Sequence, residues 1–413
     1  MPLLPRRRAV AVFLAFAFAY FFSALVRAIT ATLSPTLVDE FSLSARDLGL
    51  LAGGYFLGFS LTQLPLGTWL DRHGPRRVIL GFLVVAVVGC GAFAAAGSFA
   101  GLLLARVLTG VGVSACLMAP LTGYRRWLTP DAQLRANSWM LMTGSLGMLA
   151  STLPVQWLLP VTGWRVLFLG LAVLLVVAML TIAWLVPRWE TPAAAAGGPA
   201  PGYGAIWRHP YFRRLVPLGF FSYGGLVAMQ TLWAGPWLVK VAGFSPAQAA
   251  GGLFWINLSM LFTFWGWGFA TPWLARRGIG VDRLIGRGLP LSLLLLAIII
   301  IAGPQATTWA WALFCISCTF VSLAQPAVAM AFPAELAGRA LSAYNLVIFV
   351  GVFVVQWGIG LMVDGLRSLG LAELAAYRGA MAAFLACCTA SWLYFVLAGR
   401  HNAAQQAAVA GTP

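Results

Sequence analysis

Gly67-Thr68-Trp69-Leu70-Asp71-Arg72-His73-Gly74-Pro75-Arg76-Arg77 is a short, polar and basic interruption between two long apolar runs. The flanking runs, 48–70 and 78–98, are each near the roughly 20 residues that a helix needs to cross a bilayer. Ten more runs of this kind are read at 10–33, 100–122, 137–159, 166–186, 215–238, 250–273, 287–303, 307–331, 342–363 and 378–398. Across the 413 residues, 61% are hydrophobic and 9% charged, with a mean hydropathy of +0.89. So little charge cannot cover a surface in water, and lipid is the expected solvent for most of the chain. Within lipid each span must satisfy its own backbone, which selects the helix. The sequence therefore predicts an all-α membrane protein with twelve transmembrane helices. The first run follows Arg6-Arg7-Arg8 much as a signal peptide would. It is longer than a usual signal core and eleven similar runs follow it, so it is read as a retained helix.

The net charge of +16 invites a nucleic-acid partner, because basic patches bind phosphate. The distribution of charge argues against that. With the N-terminus inside, 19 of the 26 basic residues fall in gaps on that side, and five (Arg46, Arg165, Lys240, Arg367 and Arg378) fall opposite. The positive-inside rule then puts both termini in the cytoplasm. The remaining two, Arg27 and Arg106, lie within spans. All six cysteines also fall inside spans. Cys315 and Cys318 form a CxxC, which in an apolar helix without a nearby histidine reads as packing rather than as a metal or redox site. Neither a cofactor nor a metal is expected.

The longest polar interruption runs from Pro187 to Arg214 and is rich in Ala, Gly and Pro. It reads as a cytoplasmic linker, 187–214, between six-helix bundles at 1–186 and 215–413. The halves resemble each other at a shift of about 200 residues. Thr30, Pro35, Leu37 and Val38 answer to Thr231, Pro236, Leu238 and Val239, and Asp131, Arg135, Ala136, Ser138 and Gly147 answer to Glu335, Arg339, Ala340, Ser342 and Gly351. Two parallel repeats of this kind suit alternating access, in which one bundle rocks against the other around a midplane site.

The loop at 67–77 closely resembles the signature loop of the major facilitator superfamily, with Gly67, Asp71, Arg72, Gly74, Arg76 and Arg77 at the recurring positions. The second half keeps only Arg276 and Gly278 of that pattern. Arg106-Val-Leu-Thr-Gly110-Val-Gly112 in span 4 resembles the second motif of the same family, an intramembrane arginine linked to coupling or gating. The resemblance implies that Asp71 faces the start of span 11 and that spans 1, 4, 7 and 10 line the central cavity. It also implies a membrane transporter rather than an enzyme, usually monomeric. Physically, Gly67 permits close helix approach, and Asp71 supplies negative charge to a helix N-terminus. Arg72, Arg76 and Arg77 suit carboxylates or lipid phosphates. Drug–proton antiporters of the family carry a Gly-Pro and paired glycines in span 5. Here Gly144 and Gly147 lead to a lone Pro154, which weakens an export role.

Arg27 points most directly to a substrate. An arginine inside a bilayer costs roughly 2.5–3.5 kcal/mol, so it is expected to face a polar cavity or a partner. Its helical neighbours Tyr20, Ser23, Thr30 and Ser34 form a polar stripe. Tyr223, Gln230, Trp233 and Trp237 make a comparable stripe on span 7, and Cys318, Ser322 and Gln325 lie on one side of span 10. All ten acids and three histidines lie outside the spans. The expected cavity is therefore positive, and a guanidinium grips carboxylate or phosphate in a bidentate manner. A small organic or inorganic anion is the favoured substrate; the alternative is a proton-coupled exporter of amphipathic drugs. A buried proton relay is missing. The Arg-rich, Lys-poor composition suits a GC-rich bacterial genome, with the chain in the cytoplasmic membrane.

Overall fold

The computed structural model describes residues 3–188 and 203–410, which include helices and no strand. The first half comprises α1 (Arg6–Phe41), α2 (Ala45–Leu61), α3 (Gln63–Ala95), α4 (Phe99–Val113), α5 (Ala115–Trp127), α6 (Pro130–Ala150) and α7 (Leu153–Leu185). The short α8 (Tyr203–Arg208) follows. The second half comprises α9 (Pro210–Val241), α10 (Pro246–Arg276), α11 (Val281–Ala302), α12 (Thr308–Met330), α13 (Ala334–Ser368) and α14 (Glu373–Ala410). Ten helical stretches among the described residues are long and apolar enough to cross a membrane. The chain is thus an all-α, multi-pass membrane protein.

α3 and α7 each join two helices across one glycine, Gly74 (φ 76°) and Gly163 (φ 69°). Side chains disfavour this left-handed region, so glycine marks both joints. The helix before Gly74 continues the direction of α2, and Pro75 opens the next segment without needing a donor. This reproduces the interruption read from the sequence, although helix continues to residue 73 rather than 70 and the next segment, from Pro75 to Ala95, begins and ends a few residues before the expected 78–98.

The expected linker differs in its second part. Residues 189–202 lie outside the described residues, but 203–208 is helical and α9 already begins at Pro210. The reason is apolar content among the arginines: Ile206, Phe212 and Leu215 are fully buried, and the Tyr203 hydroxyl donates to the Leu64 carbonyl at 3.2 Å. Alternating basic and apolar residues let these short segments dock rather than trail in water.

Equivalent contacts recur in the two halves. Gly147 of α6 lies against the Phe21 carbonyl of α1, and Gly351 of α13 lies against the Phe220 carbonyl of α9. Any Cβ would overlap those oxygens. The glycines that matched in sequence thus occupy matched helix crossings.

The halves meet most closely along α2 and α13. Gly49 lies against the Gln356 carbonyl, and Gly360 against the Ala45 carbonyl. Backbone touches backbone along this seam, as small residues allow in membrane helices. At its end the Asp364 carboxylate accepts the backbone N–H of Ala45 at 3.2 Å and of Arg46 at 2.7 Å. Nearby, Glu40 pairs with Arg165 at 2.7 Å and accepts the Trp164 indole N–H at 2.7 Å. The end carrying Asp364 is therefore closed.

Candidate functional site

The Arg27 side chain projects from α1 toward α2. Its guanidinium stands 5.7 Å from the centre of the Phe59 ring, with the phenols of Tyr55 and Tyr20 as its polar neighbours. Its Nε is buried without a hydrogen-bond partner. Among the described residues, no carboxylate forms an ion pair with it. The residue as a whole is half-buried.

Tyr55 is held from several directions. Its hydroxyl donates to the Ser23 carbonyl at 3.4 Å, while Gly110 of α4 lies against its backbone carbonyl. Arg106 lies over its ring face at 4.9 Å. Arg106 itself is fully buried and donates from Nη1 to the Val26 carbonyl at 2.9 Å. Its Nε and Nη2 have no partners. One neutral phenol thus separates two guanidinium groups, and of the two arginines only Arg106 is fully buried. Helix α4 places Arg106 behind the cavity wall.

The second half supplies a polar chain opposite Arg27. Tyr223 of α9 stands within the electrostatic reach of Tyr20 and Arg27. Its hydroxyl donates to Gln325 Oε1 of α12 at 3.2 Å, and Gln325 Nε2 donates to Asn345 Oδ1 of α13 at 2.7 Å. Arg27, Tyr20, Tyr223 and Gln325, four residues singled out from sequence, are therefore brought together. Ser23 and Thr30 are buried beside them in α1. Tyr55 and Phe59 complete the arrangement. No sequence signal set Tyr55 apart from the other hydroxyls of its span, Ser60, Thr62 and Thr68.

Gln230 and Trp233 sit elsewhere. Gln230 Nε2 donates to Asn257 Oδ1 at 2.9 Å, and the Trp233 indole donates to the Gln356 carbonyl at 3.1 Å. Trp233 is fully buried. Trp233 belongs to a network in which Gln356 Nε2 also donates to Thr231 Oγ1 at 3.0 Å, while Gln230 and Asn257 form a separate pair. The cause is helix geometry. α9 contains π-helical turns at Leu218–Tyr223, Met229–Trp233 and Trp237–Val241. These wider turns rotate later residues away from the face that a regular 3.6 period assigns.

In the basic loop, Asp71 stands within the field of Arg339 near the start of α13, and of Arg125. Gly74 makes the turn, and the Arg76 guanidinium donates to the Ala183 carbonyl. Arg72 and Arg77 are exposed. The Cβ position of Gly67 faces open space, so no close helix crossing uses it in this conformation. Among the described residues no cluster of His, Cys, Asp or Glu could hold a metal ion.

Comparison with known proteins places this geometry. The chain is 28% identical over 145 residues to the hexuronate transporter of Escherichia coli strain K12, covering 35% of this chain and 34% of that one. It is 26% identical over 178 residues to the gallate transporter of Pseudomonas putida, covering 42% and 38%. The chain thus spans about a third of the length of these relatives. A bacterial homologue of the human lysosomal transporter Spinster, solved in an inward-facing and unoccupied conformation, superposes with a TM-score of 0.78 over 96% of this chain and 98% of that one at 19% identity. The Major Facilitator Superfamily model matches residues 16–356. The chain belongs to that superfamily.

Proposed function

We propose that this chain spans a bacterial cytoplasmic membrane twelve times, with both termini in the cytoplasm, and carries a small organic monoanion by alternating access. The observation that carries the substrate class is Arg27, a half-buried arginine with no acidic partner among the described residues, facing hydroxyl and amide groups from the other half. A single carboxylate would satisfy the cation. Tyr223, Gln325 and Asn345 offer donors and acceptors to hydroxyls on the remainder of the ligand, and Phe59 supplies an apolar wall. Hexuronate and gallate, the substrates named for two relatives, are both hydroxylated carboxylates. With no acid or histidine at Arg27, coupling would come through exchange of anions, or through protons carried on the substrate; uniport also fits.

The test is thermal stabilisation of the purified protein and of Arg27→Ala against carboxylates, phosphates, neutral sugars and lipophilic cations. A ligand that binds only the folded state raises the midpoint by mass action. Hydroxylated monocarboxylates are expected to stabilise the wild type and to lose that effect in Arg27→Ala. Stabilisation confined to lipophilic cations would overturn the proposal and favour a drug exporter.

A further inference from the structure

The left-handed turn at Gly74 has a second consequence, on the lipid-facing side of the first half. The two segments of α3 diverge from this turn and leave a groove of about 500 Å3, bordered by Trp69, Gly81, Phe82 and Val85. The rings of Trp69 and Phe82 lie 5.7 Å apart along it. At Gly81 a Cβ would meet nothing within 4 Å, so the groove is open at that point.

His73 and Arg77 stand at the polar edge of the groove. Arg77 also borders an adjoining depression of about 220 Å3, whose other walls are Arg76, Leu80 and Arg188. Arg76 is anchored by the Ala183 carbonyl, which fixes one cation in place. None of the three arginines pairs with a carboxylate among the described residues. Asp71, the acid nearest Arg76 and Arg77 in sequence, lies in the field of Arg339 and Arg125, and Glu190, two residues from Arg188, lies outside the described residues.

An apolar trench continuous with three cations that pair with no carboxylate among the described residues matches an amphiphile with an anionic head. A soluble anion would leave the trench wet. A zwitterionic lipid would bring its own cation to a site already rich in positive charge. We propose that the groove holds an acyl chain of an anionic phospholipid whose phosphate is clasped by Arg76, Arg77 and Arg188. Tryptophan at the headgroup level, here Trp69, suits the same depth.

Native mass spectrometry of the purified full chain would measure retention of phosphatidylglycerol and of phosphatidylcholine with the same acyl chains. Wild type is expected to retain phosphatidylglycerol more strongly, with about fivefold weaker binding for each arginine lost in Arg77→Gln and Arg77→Gln/Arg188→Gln. Gly81→Leu fills the groove where space is free, and it should weaken retention without touching the cations. Equal retention of the two lipids would overturn the proposal. So would unchanged phosphatidylglycerol binding in Gly81→Leu, or its full displacement by glycerol phosphate. Should the arginine variants fail to fold, Gly81→Leu and the lipid comparison still decide the matter.

Discussion

Asp364, near the end of α13, accepts the backbone N–H of Arg46 at the start of α2 at 2.7 Å, so an acid from the second half caps a helix of the first. Under the proposed alternating access, the bond lies across the seam that must open. A carboxylate at a helix N-terminus is worth about 0.3–1 kcal/mol in exposed settings. Asp364→Asn is accordingly expected to shift the population about two- to fivefold toward the state open at that end. Spin labels at Val161 and Leu371, both exposed there, would report the change as a growing long-distance fraction. An unaltered distance distribution would show that Asp364 is not a latch.

Growth of a side chain within the seam should act more severely. In Gly49→Val the new Cβ overlaps the Gln356 carbonyl, and overpacking of this kind costs about 1–3 kcal/mol. The variant is expected to favour the long-distance state and to lose at least about tenfold in transport rate, which proteoliposome uptake would measure.

Tyr55→Phe removes one hydroxyl beside Arg27 and keeps the ring under Arg106. A hydrogen bond involving a charged group contributes about 1.5–3 kcal/mol. Ligand affinity should therefore fall about tenfold or more, while the melting temperature stays within about two degrees. Isothermal titration alongside a thermal scan separates the two effects; a large drop in melting temperature would make Tyr55 a structural residue.

Arg106 has a different expected signature. It is a buried cation with one backbone bond and two unpartnered nitrogens. Replacing buried charge with an apolar chain of similar size is often neutral or stabilising by about 1–4 kcal/mol. Arg106→Met is thus expected to melt at or above the wild-type temperature and yet to slow uptake by about tenfold or more. Reduced stability with intact uptake would show that the charge serves the fold.

Ligand binding should depend little on pH. Among the described residues the groups acting on Arg27 are phenols, and a histidine, the side chain that ordinarily changes charge near neutral pH, is not among them. A carboxylate ligand is ionised throughout the window between about pH 6 and 8. The dissociation constant should vary less than about twofold across it. A steeper dependence would place a titrating group from elsewhere in the binding step.

Much of this was legible in the sequence because lipid imposes simple rules. Apolar length gave the spans, and the polar neighbours of Arg27 followed from a regular helix in α1. Gly147 and Gly351 matched across the halves because both crossings need a bare backbone. Tyr55 was not legible, since its importance depends on α2 passing between Arg27 and Arg106. Asp364 was one of ten acids outside the spans, and its role arises from a contact between residues more than 300 apart in the chain. Gln230 and Trp233 shared a stripe with Tyr223 only on the assumption of uniform α-helical turns, and the π turns of α9 remove that condition.

The backbone-on-backbone seam also bears on how this transporter could change its cargo over generations. Residues around Arg27 meet one another through side chains rather than backbone, so selection can retune recognition there by single steps. Gly49 and Gly360 offer no comparable latitude, because every other residue adds atoms where a carbonyl already stands. A saturation mutagenesis map would then show a permissive patch enclosed by a nearly invariant line. Drift along the patch gives new diets, and the line preserves the hinge on which all of them depend.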